Sequence, residues 1–335
     1  MNRIVLIGNG FDLAHGLKTS YKDFIDWYMN EKKDTFGILS KKTIRNYDIH
    51  VAYMNEKQID DSMEEVCTLL KNIRNRVGAT GWVDVEEEYY ALLLQLAFHN
   101  SPKSKILNPK ILNIQMDHLK DMLIEYLKME DRKEVEVIHT VEEKIYMPIK
   151  RNEIAVDDSN SLDYHNCEDA MPDNIMLLIF NYTETEKLYI DSDSEVQVNH
   201  IHGSLDAPKS VIFGYGDELD GEFEKLNNLN DSECLRNMKS IRYLDADNYR
   251  NLLTFITSGP FQVCIMGHSC GNSDRTLLNT LFEHKNCVSI KPYYYKKDDG
   301  TDNYQELVQN INRCFTDNKL MRAKVVNKEF CESLV

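Results

Sequence analysis

Four consecutive apolar residues, Ile4-Val5-Leu6-Ile7, run straight into Gly8-Asn9-Gly10-Phe11-Asp12. A strand that is apolar at every position has no face to give to water, so it needs cover on both sides, as in a parallel sheet flanked by helices. Closely spaced glycines between a strand and a helix are a way of bringing backbone N–H groups up to a phosphate, and the first expectation is a nucleotide. The same run also reads as a glycine-rich turn closing the first βα unit with no ligand. It is not the dinucleotide fingerprint, because Leu13 stands where a small residue is required and no second strand ending in an acidic residue follows. A hydride-transferring dehydrogenase is thereby demoted.

The rest of the chain tells where that strand belongs. After Pro172, short apolar runs at Ile175 to Phe180, Val196 to His202, Val211 to Phe213, Val263 to Met266 and Val288 to Tyr293 alternate with helical stretches at 221–257, 273–284 and 304–316. A closing strand is expected near Lys324 to Val326. This alternation predicts an α/β fold with a Rossmann-like, mostly parallel sheet. Between the first strand and Pro172 the pattern is helical. Ser20 and Asp23 form a capping-box-like start to a helix reaching about residue 33. Apolar residues at 3-to-4 spacing follow at Leu69, Leu70, Ile73 and Val77, at Val85, Tyr89, Leu92, Leu93 and Leu96, and at Ile114, Leu119, Leu123 and Leu127. Residues 150–174, rich in Asp, Asn and Ser, read as a polar connector. The expected organisation is a discontinuous nucleotide-binding domain, 1–33 plus 172–335, holding a large α-helical insertion with its connector at 34–171.

Charge narrows the ligand. Lys plus Arg number 39 against 55 Asp plus Glu, a net charge of −16, so a sequence-independent grip on nucleic acid or an anionic membrane works against global repulsion. An anionic nucleotide needs local positive potential, for which Arg3, Arg242 and Arg275 are candidates. Eight cysteines without a C-x-x-C pair read as reduced thiols in a cytoplasmic protein. The longest apolar run, Ala91 to Phe98, is far below the ~18 residues a membrane span needs, and no export signal is visible.

Four segments end strands with polar residues, where ligands sit in open α/β sheets. They are Gly8 to Asp12, Phe180-Asn181-Tyr182-Thr183, His200-Ile201-His202-Gly203-Ser204 and Gly267-His268-Ser269-Cys270-Gly271-Asn272-Ser273-Asp274. His200 and His202 alternate by two and could share a zinc, with His268 or Cys270 as a third ligand, but one functional and one structural histidine is the better reading, and no metal is expected. Gly267 to Gly271 also spells G-x-S-x-G, the nucleophile elbow of serine esterases, yet the only histidine after it is His284. In the insertion, Asp84 and Glu86 follow Trp82; they favour a helix N-terminus and face solvent, or Glu86 caps the pocket. Asp217 reads as a loop residue.

Taken together, GNGFDLAHGLKTSYKDF, Trp82 to Glu86, FNYTET at 180–185, HIHGS at 200–204, IFGYGD at 212–217 and GHSCGNSD at 267–274 resemble the AbiH family of bacterial phage abortive-infection proteins. More distantly, the blocks resemble the sirtuin-like domains of bacterial immune NAD hydrolases, which carry a GAGxS-type loop, a TTNYD-type strand end, an LHG strand end and a GxSxxD loop. That resemblance implies Asn181 and His202 as catalytic residues. It implies Gly8, Gly10, Asp12, Ser269 and Asp274 as nucleotide-binding residues; Asn9, Phe11, Gly203 and Gly267, from the same segments, and Glu86 are joined to them. Thr183 stands where the pattern has Asp, and Asn9 and Asp12 alter the first loop. The implied activity is hydrolysis of NAD or a related nucleotide at its N-glycosidic bond, with NAD as substrate rather than cofactor. A nucleotide-binding sensor without turnover is the alternative from another class. The partner expected is an NAD-like nucleotide, with no membrane or nucleic acid; a second copy of the chain and a phage-derived trigger are left open.

Overall fold

The computed structural model describes residues 1–31, 68–80, 84–98, 107–154, 169–190 and 195–335. They form two compact units, Met1–Leu17 with Glu130–Ile212 and Ser240–Val335, and Lys18–Met129 with Phe213–Lys239. Trp82 and Val83 lie outside the described residues.

The first unit is built on five strands, β1 (Asn2–Ile7), β2 (Ile175–Ile179), β3 (Gln197–His200), β4 (Phe261–Met266) and β5 (Cys287–Tyr293), in the order β3-β2-β1-β4-β5. All four pairings are parallel, so the sheet is Rossmann-like, and its order reverses between β1 and β4. The period-2 alternation of β1 explains its apolar run. Ile4 and Leu6 enter one core with Leu178, Ile265, Leu281 and Phe282. Val5 and Ile7 enter the other with Leu177, Met266, Val141 and Ile145. Both faces are covered, as the sequence requires.

Register fixes what meets beyond the strands. Ile7 pairs with both Ile179 and Met266, and Ile179 pairs with His200. Gly8, Phe180, Ile201 and Gly267 therefore leave the sheet at one level. Helix α1 (Asn9–Ala14) follows β1 at once.

The second unit contains α2 (Tyr21–Glu31), α3 (Thr68–Thr80), α4 (Val85–Phe98) and most of α5 (Pro109–Glu130). Ser20 Oγ accepts the Asp23 N–H at 3.1 Å and so starts α2, as its sequence predicts. Asp84 does the same for α4, accepting from Glu86 N–H (2.9 Å) and Glu87 N–H (3.1 Å). In the first unit α6 (His139–Tyr146) packs Val141 and Ile145 on the sheet.

Three expectations need correction. Val211 to Phe213 is buried but forms no ladder; its link to the strand ends is the Ile212 N–H to His202 O bond at 2.9 Å. The stretch 221–257 is not one helix but α7 (Gly221–Asn227), α8 (Ser232–Leu235), α9 (Lys239–Arg242) and α10 (Asn248–Thr257). Asp220 caps the first piece with its carboxylate, Asn230 takes a left-handed φ of 54°, and Asp231 caps the second, so local capping overrides the longer apolar period. The closing strand near Lys324 to Val326 is a single bridge from Val325 to Ile290. The apolar residues before it belong to α13 (Asn318–Lys324), which follows α11 (Arg275–Phe282) and α12 (Tyr304–Arg313). No helix among the described residues is long and apolar enough to cross a membrane.

Candidate functional site

The loops after β1 and β4 cross so closely that side chains cannot fit. A Cβ on Gly8 would lie 2.5 Å from His268 Cα, and one on Gly267, whose φ is +77°, would lie 2.1 Å from Phe11 N. The contact is sealed by backbone bonds. Gly8 N–H donates to Met266 O at 3.2 Å, Gly10 N–H to Gly267 O at 2.8 Å and Phe11 N–H to Gly8 O at 2.8 Å. The Gly8 and Gly10 amides thus join the ends of β1 and β4, while the Phe11 amide closes the turn that begins at Gly8. Asn9 is exposed, while Phe11 is fully buried in a core with His15 and Tyr189 packed around its ring.

The β2 end grips the same loop from the other side. Asn181 Nδ2 donates to Gly8 O at 3.1 Å. Thr183 Oγ1 donates to Asp12 Oδ2 at 2.6 Å, inside a buried setting. Burial pushes the Asp12 carboxyl up to about 6, against the pull of hydrogen bonds from Thr183, Thr185 and Asn181. Its second oxygen, Oδ1, is buried and has no hydrogen-bond partner among the described residues.

At the β3 end the two histidines part company. The strand stops at His200, so the alternation that would align them no longer applies beyond it. His200 Nε2 faces Glu186 Oε1 at 2.9 Å. His202 turns instead to Asp274 Oδ1, 3.3 Å from its Nε2, and to the Tyr243 hydroxyl at 3.2 Å. Gly203, with φ +80° and its would-be Cβ 2.4 Å from Ser210 O, makes the turn that follows. Among the described residues no group of three or more His, Cys, Asp or Glu is arranged to hold a metal ion.

The β4 loop brings in a residue that the sequence suggested only as a metal ligand. His268 is buried, and its Nε2 lies 3.5 Å from Asp274 Oδ2. One carboxylate thus stands between two imidazoles. The Phe180 ring lies edge-on to His202 (centroids 5.2 Å apart) and 4.1 Å from His268. Asp274 precedes α11 but makes no side-chain capping bond there. Ser269 is exposed, and among the described residues its hydroxyl has no hydrogen-bond partner. Its neighbour His268 gives Nδ1 to the Cys270 N–H and Nε2 to the Asp274 side, so the ring that adjoins the serine serves other partners.

The structure therefore assembles Gly8, Gly10, Asp12, Asn181, His202, Gly203, Gly267 and Asp274 at the carboxyl ends of β1 to β4. It adds His268 and Tyr243, for which the only sequence signal is their polarity near a strand end or a ring partner. Glu86 belongs to the second unit. It is buried, not solvent-facing; Lys239 Nζ lies 2.9 Å from Oε2, and Gly214 N–H donates to Oε1 at 3.0 Å. Asp217 accepts the Leu219 N–H at 2.9 Å, a loop role. Among the candidate cations, Arg3 sits at the start of β1, opposite the strand ends, and is bound to the carbonyls of Ile145 and Met147 and to Gln262. Arg242 pairs with Asp245, and Arg275 donates to Arg313 O.

A search of curated proteins finds no match. The family model described as Bacteriophage abortive infection AbiH matches residues 4–295. That span takes in all four strand ends and their loops, and the chain belongs to the AbiH family.

Proposed function

We propose that the chain serves phage defence by binding NAD or a related nucleotide at the carboxyl ends of β1 to β4 and hydrolysing its N-glycosidic bond. The observation that carries this reading is the histidine at the β3 end. His202 is buried, and its Nε2 is directed at the Asp274 carboxylate. An ionised carboxylate only accepts hydrogen bonds and the Tyr243 hydroxyl at 3.2 Å can accept as well, so a proton on Nε2 of neutral His202 serves both and places the basic lone pair on Nδ1.

The reaction such a base serves is simple to balance. The C1′–N bond breaks, its electron pair goes to the pyridinium nitrogen and neutralises it, and C1′ becomes oxocarbenium-like. Water adds to C1′ and gives its proton to His202 Nδ1. Asn181, held by Gly8 O, orients the sugar and the water. General-base help of this kind is worth about 10²- to 10⁴-fold.

The departures from the sirtuin-like pattern support the reading too. That pattern has a serine in the first loop and an aspartate after Asn-Tyr; this chain has Asp12 and Thr183. The two side chains are hydrogen-bonded to one another. These two departures are thus one reciprocal exchange that keeps a carboxylate and a hydroxyl side by side.

Purified protein incubated with NAD is expected to release nicotinamide and ADP-ribose. Tight binding by calorimetry without product makes the protein a nucleotide sensor instead, and neither product nor binding removes the reading.

A further inference from the structure

The β4 loop holds a second histidine whose protonation pattern is dictated by backbone. His268 Nδ1 accepts the Cys270 N–H at 3.0 Å. A ring nitrogen that accepts carries no hydrogen, so the neutral ring has its proton on Nε2. Cys270 takes a φ of 54°, uncommon outside glycine, and this local backbone conformation accompanies its N–H bond to the ring. The His268 Nε2–H then faces Asp274 Oδ2 at 3.5 Å, while Oδ1 of the same carboxylate faces His202 Nε2 at 3.3 Å.

We infer that His268 is a positioning residue: it orients Asp274, and Asp274 in turn holds His202 as the Nε2–H tautomer with its base at Nδ1. The inference rests on the hydrolytic reading for its kinetic consequence, but not for its structural one. His268 touches no reacting atom. It acts through the carboxylate, as the orienting member of a nucleophile–base–orienter chain acts through its neighbour.

A sharp consequence follows for Asp274→Asn. The fixed His268 Nε2–H requires an acceptor, so the asparagine turns its carbonyl to His268 and its NH₂ to His202. His202 Nε2 then accepts from this amide, the Tyr243 hydroxyl turns to donate to the same nitrogen, and the His202 proton moves to Nδ1. Loss of the correct tautomer is a known way for such a change to disable a base without disturbing the fold.

The test is ¹⁵N NMR of the His202 ring in ¹⁵N-histidine protein, assigned by its loss in His202→Gln. The expected result is the Nε2–H tautomer in the wild type and in His268→Gln, whose amide can still donate to Asp274, and the Nδ1–H tautomer in Asp274→Asn. Retention of Nε2–H in folded Asp274→Asn overturns the inference, whatever the activity. On the kinetic arm, His268→Phe is expected to lower kcat for NAD hydrolysis about 10- to 100-fold with KM little changed, and His268→Gln to restore most of it. Equal loss in both variants, with KM rising in each, also overturns it. The expected tautomers without any NAD turnover leave the positioning role standing and remove the hydrolytic reading alone.

Discussion

Thr183 Oγ1 and Asp12 Oδ2 lie 2.6 Å apart, a buried hydrogen bond that joins α1, directly after β1, to the loop after β2. Among the described residues Asp12 Oδ1 has no hydrogen-bond partner, and burial raises the folded-state pKa from 3.8 to about 6. A raised folded pKa means that folding favours the protonated acid, so this contribution is fully present below pH 3.8 and is lost as pH climbs through about 6. Asp12→Asn is therefore expected to gain on the wild type across that window, by up to about 3 kcal/mol, and to hold a constant difference above it. Urea unfolding of both proteins from pH 4 to 7 checks this; a difference that does not change with pH contradicts it.

Glu86 and Lys239 form a buried ion pair in the second unit, with Gly214 N–H as a third member. Glu86→Gln keeps the bond to Gly214 but removes the negative charge that faces the buried ammonium. The expected cost is about 3 to 5 kcal/mol, and Glu86→Leu combined with Lys239→Met recovers most of it. Thermal or denaturant unfolding of the single and double variants measures the coupling; additive losses would rule the pair out as the cause.

Gly267 and Gly300 both have φ near +80°, at +77° and +84°. Of the two, Gly267 has backbone in the space a methyl would take, whereas among the described residues nothing lies within 4 Å at Gly300. Gly300→Ala is expected to cost about 1 to 3 kcal/mol of backbone strain. Gly267→Ala adds roughly 1 to 3 kcal/mol of overpacking to a similar strain, because Phe11 and Gly10 must move. Equal losses in a chemical-denaturation comparison contradict the close crossing of the two loops.

Ser269 stands in a literal G-x-S-x-G, but it is exposed and its adjacent imidazole is bound elsewhere. Treatment with a fluorophosphonate probe is expected to leave it unlabelled, and Ser269→Ala is expected to keep NAD turnover within about 3-fold, far from the 10²-fold or more that loss of a nucleophile or base costs. Robust labelling at Ser269 restores the esterase reading.

Much of this architecture is readable from residues because one-dimensional period dictates it. Ile4 to Ile7 can only be a doubly covered strand, and the polar residues after Ile7, Ile179, His200 and Met266 must share one sheet edge once those strands run parallel. What escapes the sequence depends on local competition or on three-dimensional pairing. Asn230 and the cap at Asp231 break an apolar pattern that otherwise reads as one helix. His200 and His202 look equivalent until the strand ends between them and sends each to its own carboxylate. His268 is polar among polar neighbours, and only the fold shows Asp274 between it and His202. The glycines after β1 read as a phosphate cradle, but the same residues serve equally where two backbones must cross, and spacing does not separate the two uses.

The central claim is that His202 and Asn181 carry a hydrolytic reaction on a nicotinamide nucleotide. The most direct measurement is nicotinamide release from NAD by the wild type, His202→Ala and Asn181→Ala, each matched for melting temperature. The account predicts turnover by the wild type and a loss of at least about 10²-fold in the His202 variant, with a comparable loss for Asn181. Undiminished release by a folded His202→Ala protein contradicts it.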